Sequence, residues 1–138
     1  MRTAGPSEPP VDRDRDQILQ DIVRRDPRFR AEAYTFVLEA LDFTIQRREK
    51  GQKHVSGVQL LEGFRDLAIE TFGLLARAVL SEWGITRTDD VGTIVFHMIE
   101  EDLLQKTADD CRDDFHDVFD FEEALESGFR ETLAKVAI

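Results

Sequence analysis

Cys111 and His116 lie inside an acidic tract, Asp109 to Glu123, that holds eight carboxylates in fifteen residues. A cysteine beside a histidine is the pairing a thiolate nucleophile needs. The neighbours oppose it, because the carboxylates of Asp109, Asp110, Asp113 and Asp114 disfavour a further negative charge. His97, Cys111, His116 and the acids around them are also metal-ligand types. A calcium loop needs a glycine at its sixth position and a glutamate at its twelfth. No register starting from Asp109, Asp110, Asp113 or Asp114 has that glycine. A di-iron bundle needs Glu-x-x-His on two helices. His97-Met98-Ile99-Glu100 has the reverse order and occurs once. A single cysteine excludes an internal disulfide and a Cys-rich zinc site. No Gly-rich phosphate loop, Gly-x-Ser-x-Gly elbow or His-Glu-x-x-His is present. The expectation is a protein with no catalytic residues, no metal and no cofactor.

Charge is the stronger signal. The 138 residues carry a net charge of −11. Residues 1–87 hold 14 basic and 14 acidic side chains, while residues 88–138 hold 4 and 15. The whole excess sits in the C-terminal third. Such a surface repels phosphate backbones, so binding to nucleic acid by counterion release is disfavoured. The same field attracts a basic protein and speeds its encounter. Asp109, Asp110, Asp113, Asp114 and Asp117 are the expected partner-binding residues. The arginines and lysines of residues 24–53 (Arg24, Arg25, Arg28, Arg30, Arg47, Arg48, Lys50 and Lys53) keep an alternative open, a basic patch for RNA or the ribosome. Basic and acidic ends together also allow head-to-tail self-association. No run of 18 apolar residues exists, so no membrane span is expected. No signal-peptide pattern opens the chain. The sequence thus reads as a cytoplasmic protein of one domain.

The elements that must carry these groups are helices. Residues 1–13 contain three of the four prolines and little apolar surface, which predicts a disordered tail ahead of a single domain over 14–138. A first helix begins near Asp14 or Asp16, buries Ile18, Leu19, Ile22 and Val23, and ends at Asp26-Pro27. A second covers about 30–49, with Tyr34, Val37, Leu38, Leu41 and Ile45 as its stripe and Gly51 as its cap. Phe36 and Phe43 fall on nearly the opposite side. Either this helix is central and buried on both faces, the preferred reading, or Phe36 and Phe43 meet a partner.

Ser56-Gly57-Val58-Gln59 is a capping box for the third helix, with Val55 and Leu60 placed to form a staple. Gly73 predicts a break within residues 57–83. A helix after Thr88 buries Val91, Ile94, Val95, Met98 and Ile99 and runs to about Leu104. Asp120-Phe121-Glu122-Glu123 introduces a last helix with Leu125, Phe129, Leu133 and Val136 on one face. The fold class is therefore mainly α, a compact bundle of five or six helices. A short two-stranded element near residues 105–121 would give a winged-helix-like order. Its recognition helix, residues 89–104, has no Lys or Arg for base or phosphate contacts, so that order suits a protein partner.

Several stretches together resemble one family. They are His54-Val55-Ser56-Gly57, Leu60-Leu61-Glu62-Gly63-Phe64-Arg65, Trp83-Gly84-Ile85, Thr88-Asp89-Asp90-Val91-Gly92, Ile94-Val95-Phe96, Lys106-Thr107, and Asp114-Phe115 through Val118-Phe119-Asp120-Phe121. Over about residues 17–125 the chain resembles an uncharacterised family of short proteins restricted to planctomycete and verrucomicrobial bacteria. The resemblance implies a bacterial source and supplies no activity or site residues.

Overall fold

The computed structural model describes residues 1–3, 14–47, 54–107 and 110–136. Helices dominate it. Helix α1, Arg15–Arg25, starts where the Asp14 carboxylate accepts from the Gln17 amide at 2.8 Å, and it places Ile18, Leu19 and Ile22 in the core. Helix α2, Ala31–Gln46, is central and packs against α1, α3 and α5. That position explains its two apolar sides. Tyr34, Val37 and Leu41 are fully buried on one, and Phe36 joins a ring cluster on the other. The expected cap at Gly51 falls outside the described residues.

Helix α3, Gly57–Phe72, opens with the full capping box: Ser56 accepts from the Gln59 amide, and the Gln59 side chain accepts from the Ser56 amide at 3.0 Å. Val55 and Leu60 are both buried beside it. Gly73 ends α3 with φ +56°, a left-handed backbone that L side chains rarely adopt. A 3-10 turn, Gly73–Leu75, leads into α4, Ala76–Glu82. The predicted helix over 57–83 is thus two. Helices α2 and α3 touch closely at Gly63, where a Cβ would sit 1.8 Å from the Thr44 hydroxyl.

Helix α5, Thr88–Glu100, stops four residues short of the expected Leu104. Its start is fixed by Asp90, whose carboxylate accepts from the amides of Thr86 and Arg87 at 2.9 and 3.1 Å. Asp102 then takes φ 59° and turns the chain into a two-residue strand, β2, Leu104–Gln105. Its partner is β1, Arg2–Thr3, antiparallel, with Arg2 opposite Gln105 and Thr3 opposite Leu104. The two-stranded element is therefore built from the start of the chain and not from a hairpin inside 105–121. Residues 112–115 form a 3-10 turn instead. Last come a π-helical segment, Glu122–Ser127, and helix α6, Gly128–Val136.

The tail expectation fails for residues 1–3. Met1 is 1% exposed, and its nitrogen donates to the Val55 carbonyl at 2.9 Å. Composition misleads here because a single buried methionine and a two-residue strand leave almost no compositional trace. Residues 4–13 lie outside the described residues. No helix among the described residues is long and apolar enough to cross a membrane.

Candidate functional site

Of the expected partner-binding acids, Asp110 is withdrawn from the surface. Asp110 is 7% exposed, and its carboxylate lies 3.0 Å from the Met1 nitrogen. It also accepts from the Thr107 amide at 2.8 Å and from the Thr107 hydroxyl. Burial pushes its carboxyl up, but the Thr107 amide and the Met1 ammonium outweigh it and hold the group below the ordinary carboxylate range. Asp110 is thus an internal counter-ion and not a contact residue. Asp113 and Asp117 are exposed. Asp114 is half-buried and accepts from the Cys111 amide at 3.2 Å. Asp109 lies outside the described residues.

Phe115, at the middle of the tract, explains this arrangement. Its ring enters a notch between α3 and α5 that exists because Gly57 and Gly92 have no side chains. A Cβ on Gly92 would lie 2.7 Å from the Phe115 Cβ, and one on Gly57 would lie 3.2 Å from the ring. The buried Thr88 hydroxyl donates to the Phe115 carbonyl at 2.7 Å and accepts from the Val118 amide at 3.1 Å. Asp89 takes the Asp117 amide at 3.0 Å and the His116 Nδ1 at 2.7 Å. That hydrogen bond to Asp89 holds His116 above its ordinary pKa. His116 therefore faces Asp89, and Cys111 is an exposed free thiol. Among the described residues no three His, Cys, Asp or Glu side chains gather closely enough to hold a metal ion.

Phe36 and Phe43 are likewise separated. Phe36 is 3% exposed and packs on Phe64, Phe72 and Trp83 with ring centroids 5.4 to 5.7 Å apart. It cannot touch a partner. Phe43 is half-buried under the Arg47 guanidinium, 4.8 Å from its ring centre.

The described part of the basic patch is paired from within, while Arg48, Lys50 and Lys53 lie outside the described residues. Arg24 pairs with Asp21, Arg25 with Glu101, Arg28 with Asp26, Arg30 with Glu82 and Arg47 with Asp66. Sequence reasoning missed these pairings because most cross between elements far apart in the chain.

One cluster has catalytic residue types. The Tyr34 hydroxyl lies 2.8 Å from His97 Nδ1, and His97 Nε2 lies 3.5 Å from the Asp26 carboxylate. The Arg28 hydrogen bond lowers Asp26 to about 2. Burial holds His97 below its ordinary value and raises the Tyr34 phenol. A neutral His97 with its proton on Nε2 serves both neighbours: it donates toward Asp26 and accepts from Tyr34. Tyr34 is fully buried, so its hydroxyl meets no solute. The chain of groups ties the α1–α2 loop to α2 and α5.

The remaining feature is a groove of about 860 Å³ between α3 and the π segment with α6. Ile69, Gly73, Ala124 and Phe129 supply its apolar lining, and Glu70, Glu123 and Glu131 stand on it. The Phe129 ring packs against Gly73, where a Cβ would come within 3.2 Å of it. Leu74 and Leu75 follow directly and are 61% and 66% exposed; Leu133, one turn beyond Phe129, is 50% exposed. The regular spacing of Leu125, Phe129 and Leu133 pointed to a helix but not to its outer turn leaving the core. Comparison with protein-family models, with curated proteins and with solved structures finds no match to the chain.

Proposed function

We propose that the chain is a non-enzymatic protein-interaction module whose acidic C-terminal surface receives a basic protein. The observation that carries this reading is an asymmetry of charge. Arg24 and Arg25 of α1, Arg28 and Arg30 of the α1–α2 loop and Arg47 after α2 are matched by carboxylates of the chain, whereas Asp113, Asp117, Glu123 and Glu131 make no ion pair among the described residues. Arg15, Lys106, Arg112 and Arg130 also stand without an ion pair among the described residues, so the unmatched charge is mixed along the described surface, and the C-terminal third adds the excess of 15 acids over 4 bases. That excess speeds encounter with a basic protein and opposes phosphate backbones.

A lysine-rich peptide and a single-stranded RNA, each titrated against the full chain at low and high salt, test the reading. The expected result is binding of the peptide alone, weakening steeply with salt. Reversing Asp113, Asp117, Glu123 and Glu131 to lysine should slow association by about tenfold or more and change dissociation less. RNA binding by the unaltered chain, or a peptide on-rate indifferent to the reversal, overturns it.

A further inference from the structure

We infer that the groove between α3 and the π–α6 segment is the docking site for an amphipathic helix of a partner protein, with an apolar stripe flanked by lysine or arginine. The inference rests on the reading above and narrows it from an acidic surface to one place.

Shape comes first. Arg65, Asp66, Ile69, Glu70 and Gly73 all lie on one side of α3 and line the groove along its length. From Arg65 to Gly73 that side runs about 12 Å, at 1.5 Å per helical residue. A ligand helix presenting apolar anchors at i, i+3 or i+4, and i+7 spans about 10.5 Å by the same rise. The groove is therefore matched to two turns of helix. Its apolar lining is Ile69, Ala124 and Phe129. Next to it the exposed Leu74 and Leu75 extend the apolar surface beyond Gly73.

Charge selects the occupant. Arg65 is matched by Asp66 at 3.1 Å, and Asp66 also meets Arg47 at 2.9 Å. Glu70, Glu123 and Glu131 have no cation among the described residues. They come from both walls, Glu70 from α3 and the other two from the facing segment. A helix with basic flanks meets a carboxylate on each side. A second copy of this chain fits poorly. Symmetric pairing would bring the same three glutamates of each copy together. The arginine-bearing helix α1 already has Ile18, Leu19 and Ile22 in its own core.

The local backbone supports a site here. The wall opposite α3 is a six-residue π helix, Glu122–Ser127. Such segments are rare and frequently mark functional positions.

The probes are three synthetic peptides of equal length: a leucine–lysine amphipathic helix, the same residues scrambled to abolish the stripe, and a leucine–glutamate helix. Each is titrated against the full chain by fluorescence anisotropy. The expected result is binding of the leucine–lysine helix at least tenfold tighter than either control. Two variants decide the place. The set Glu70→Lys, Glu123→Lys and Glu131→Lys should weaken that binding at least tenfold, and so should Leu133→Glu, at a half-exposed position one turn beyond the groove-lining Phe129. Reversing Asp113 and Asp117 should change it less than threefold. Equal binding of the scrambled peptide, or sensitivity only to Asp113 and Asp117, overturns the groove while leaving the acidic module standing. Failure of every basic peptide overturns both. A concentration-dependent dimer abolished by Leu133→Glu would assign the groove to a second copy and overturn the inference.

Discussion

Residues 110–121 and residues 122–136 carry the same sign of charge, yet the first segment is pinned along its length and the second is held mainly through one face. Asp110 closes on Met1, Phe115 fills the notch at Gly57 and Gly92, and Thr88 and Asp89 take up the backbone from Phe115 to Val118. In the second segment Leu125 is buried, Phe129 is half-buried against Gly73, and Leu133 points half into solvent. Net charge alone cannot distinguish these segments. The difference lies in what the apolar residues between the acids find to pack against. An aromatic ring meeting two glycines converts an acidic tract into a structural strap. In the amphipathic segment Glu122 and Glu126 meet Arg77, while Glu123 and Glu131 stand without an ion pair among the described residues and are left for something else.

The comparison breaks most sharply at the two phenylalanines. Phe115→Ala should cost about 3–5 kcal/mol, the usual loss for emptying a fully buried aromatic site. Phe129→Ala should cost less, about 1–2 kcal/mol, because its ring is only partly buried and already meets water on one side. Urea unfolding of both variants measures the gap. Equal losses would mean that α6 is as firmly docked as the strap.

The next contrast lies within the strap. Asp110→Ala leaves the Met1 ammonium buried without its carboxylate and should cost about 3 kcal/mol, the range for breaking a buried pair from one side. Asp113→Ala, at an exposed position, should stay within about 0.5 kcal/mol. The Asp110 carboxyl is held below its ordinary 3.8. Its contribution is therefore present above about pH 4 and lost as pH falls through the lowered value. A neutral Asp110→Ala would detach the start of the chain from the core.

Two histidines sharpen the picture with opposite signs. Burial lowers His97 from 6.5, so below that pH the unfolded chain takes up a proton the folded chain refuses. Its contribution is full above about pH 6.5 and declines as pH falls. Asp89 raises His116 from 6.5, so its contribution is full below about pH 6.5 and declines as pH rises through the raised value. His97→Gln should flatten the loss of stability between pH 7 and pH 5, and His116→Gln should flatten the loss above about pH 6.5. Melting temperature against pH for the three proteins checks this, and parallel profiles would remove both histidines from the pH dependence.

Local signals carried the helices. Asp14, the Ser56–Gln59 box and the Gly73 break are each complete within four or five residues, and the structure uses all three. Phe36 was legible as part of a helix with two apolar sides, which only a central helix can satisfy. What stayed hidden depends on distant pairing. Met1 meets Val55 and Asp110, and Arg25 meets Glu101, across separations that no sequence window spans. Asp110 is identical in type to its neighbours, and only the nitrogen brought beside it decides that it is buried. The groove was illegible for a related reason: an unfilled face is defined by what fails to arrive.

The π segment also sets a register. It holds one residue more per turn than an α helix would, over Glu122–Ser127. Deleting a single residue there would let the segment wind as ordinary α helix. The wider turn already takes up the extra residue, so α6 would keep nearly its present direction, with Phe129 on Gly73 and Glu131 at the groove. A residue lost from α6 itself has no such slack, and everything after it would rotate by about 100° and retreat by about 1.5 Å. The π segment is thus the one stretch of this wall where length can change by one residue while the last helix, Met1, Phe115 and the central core stay where they are.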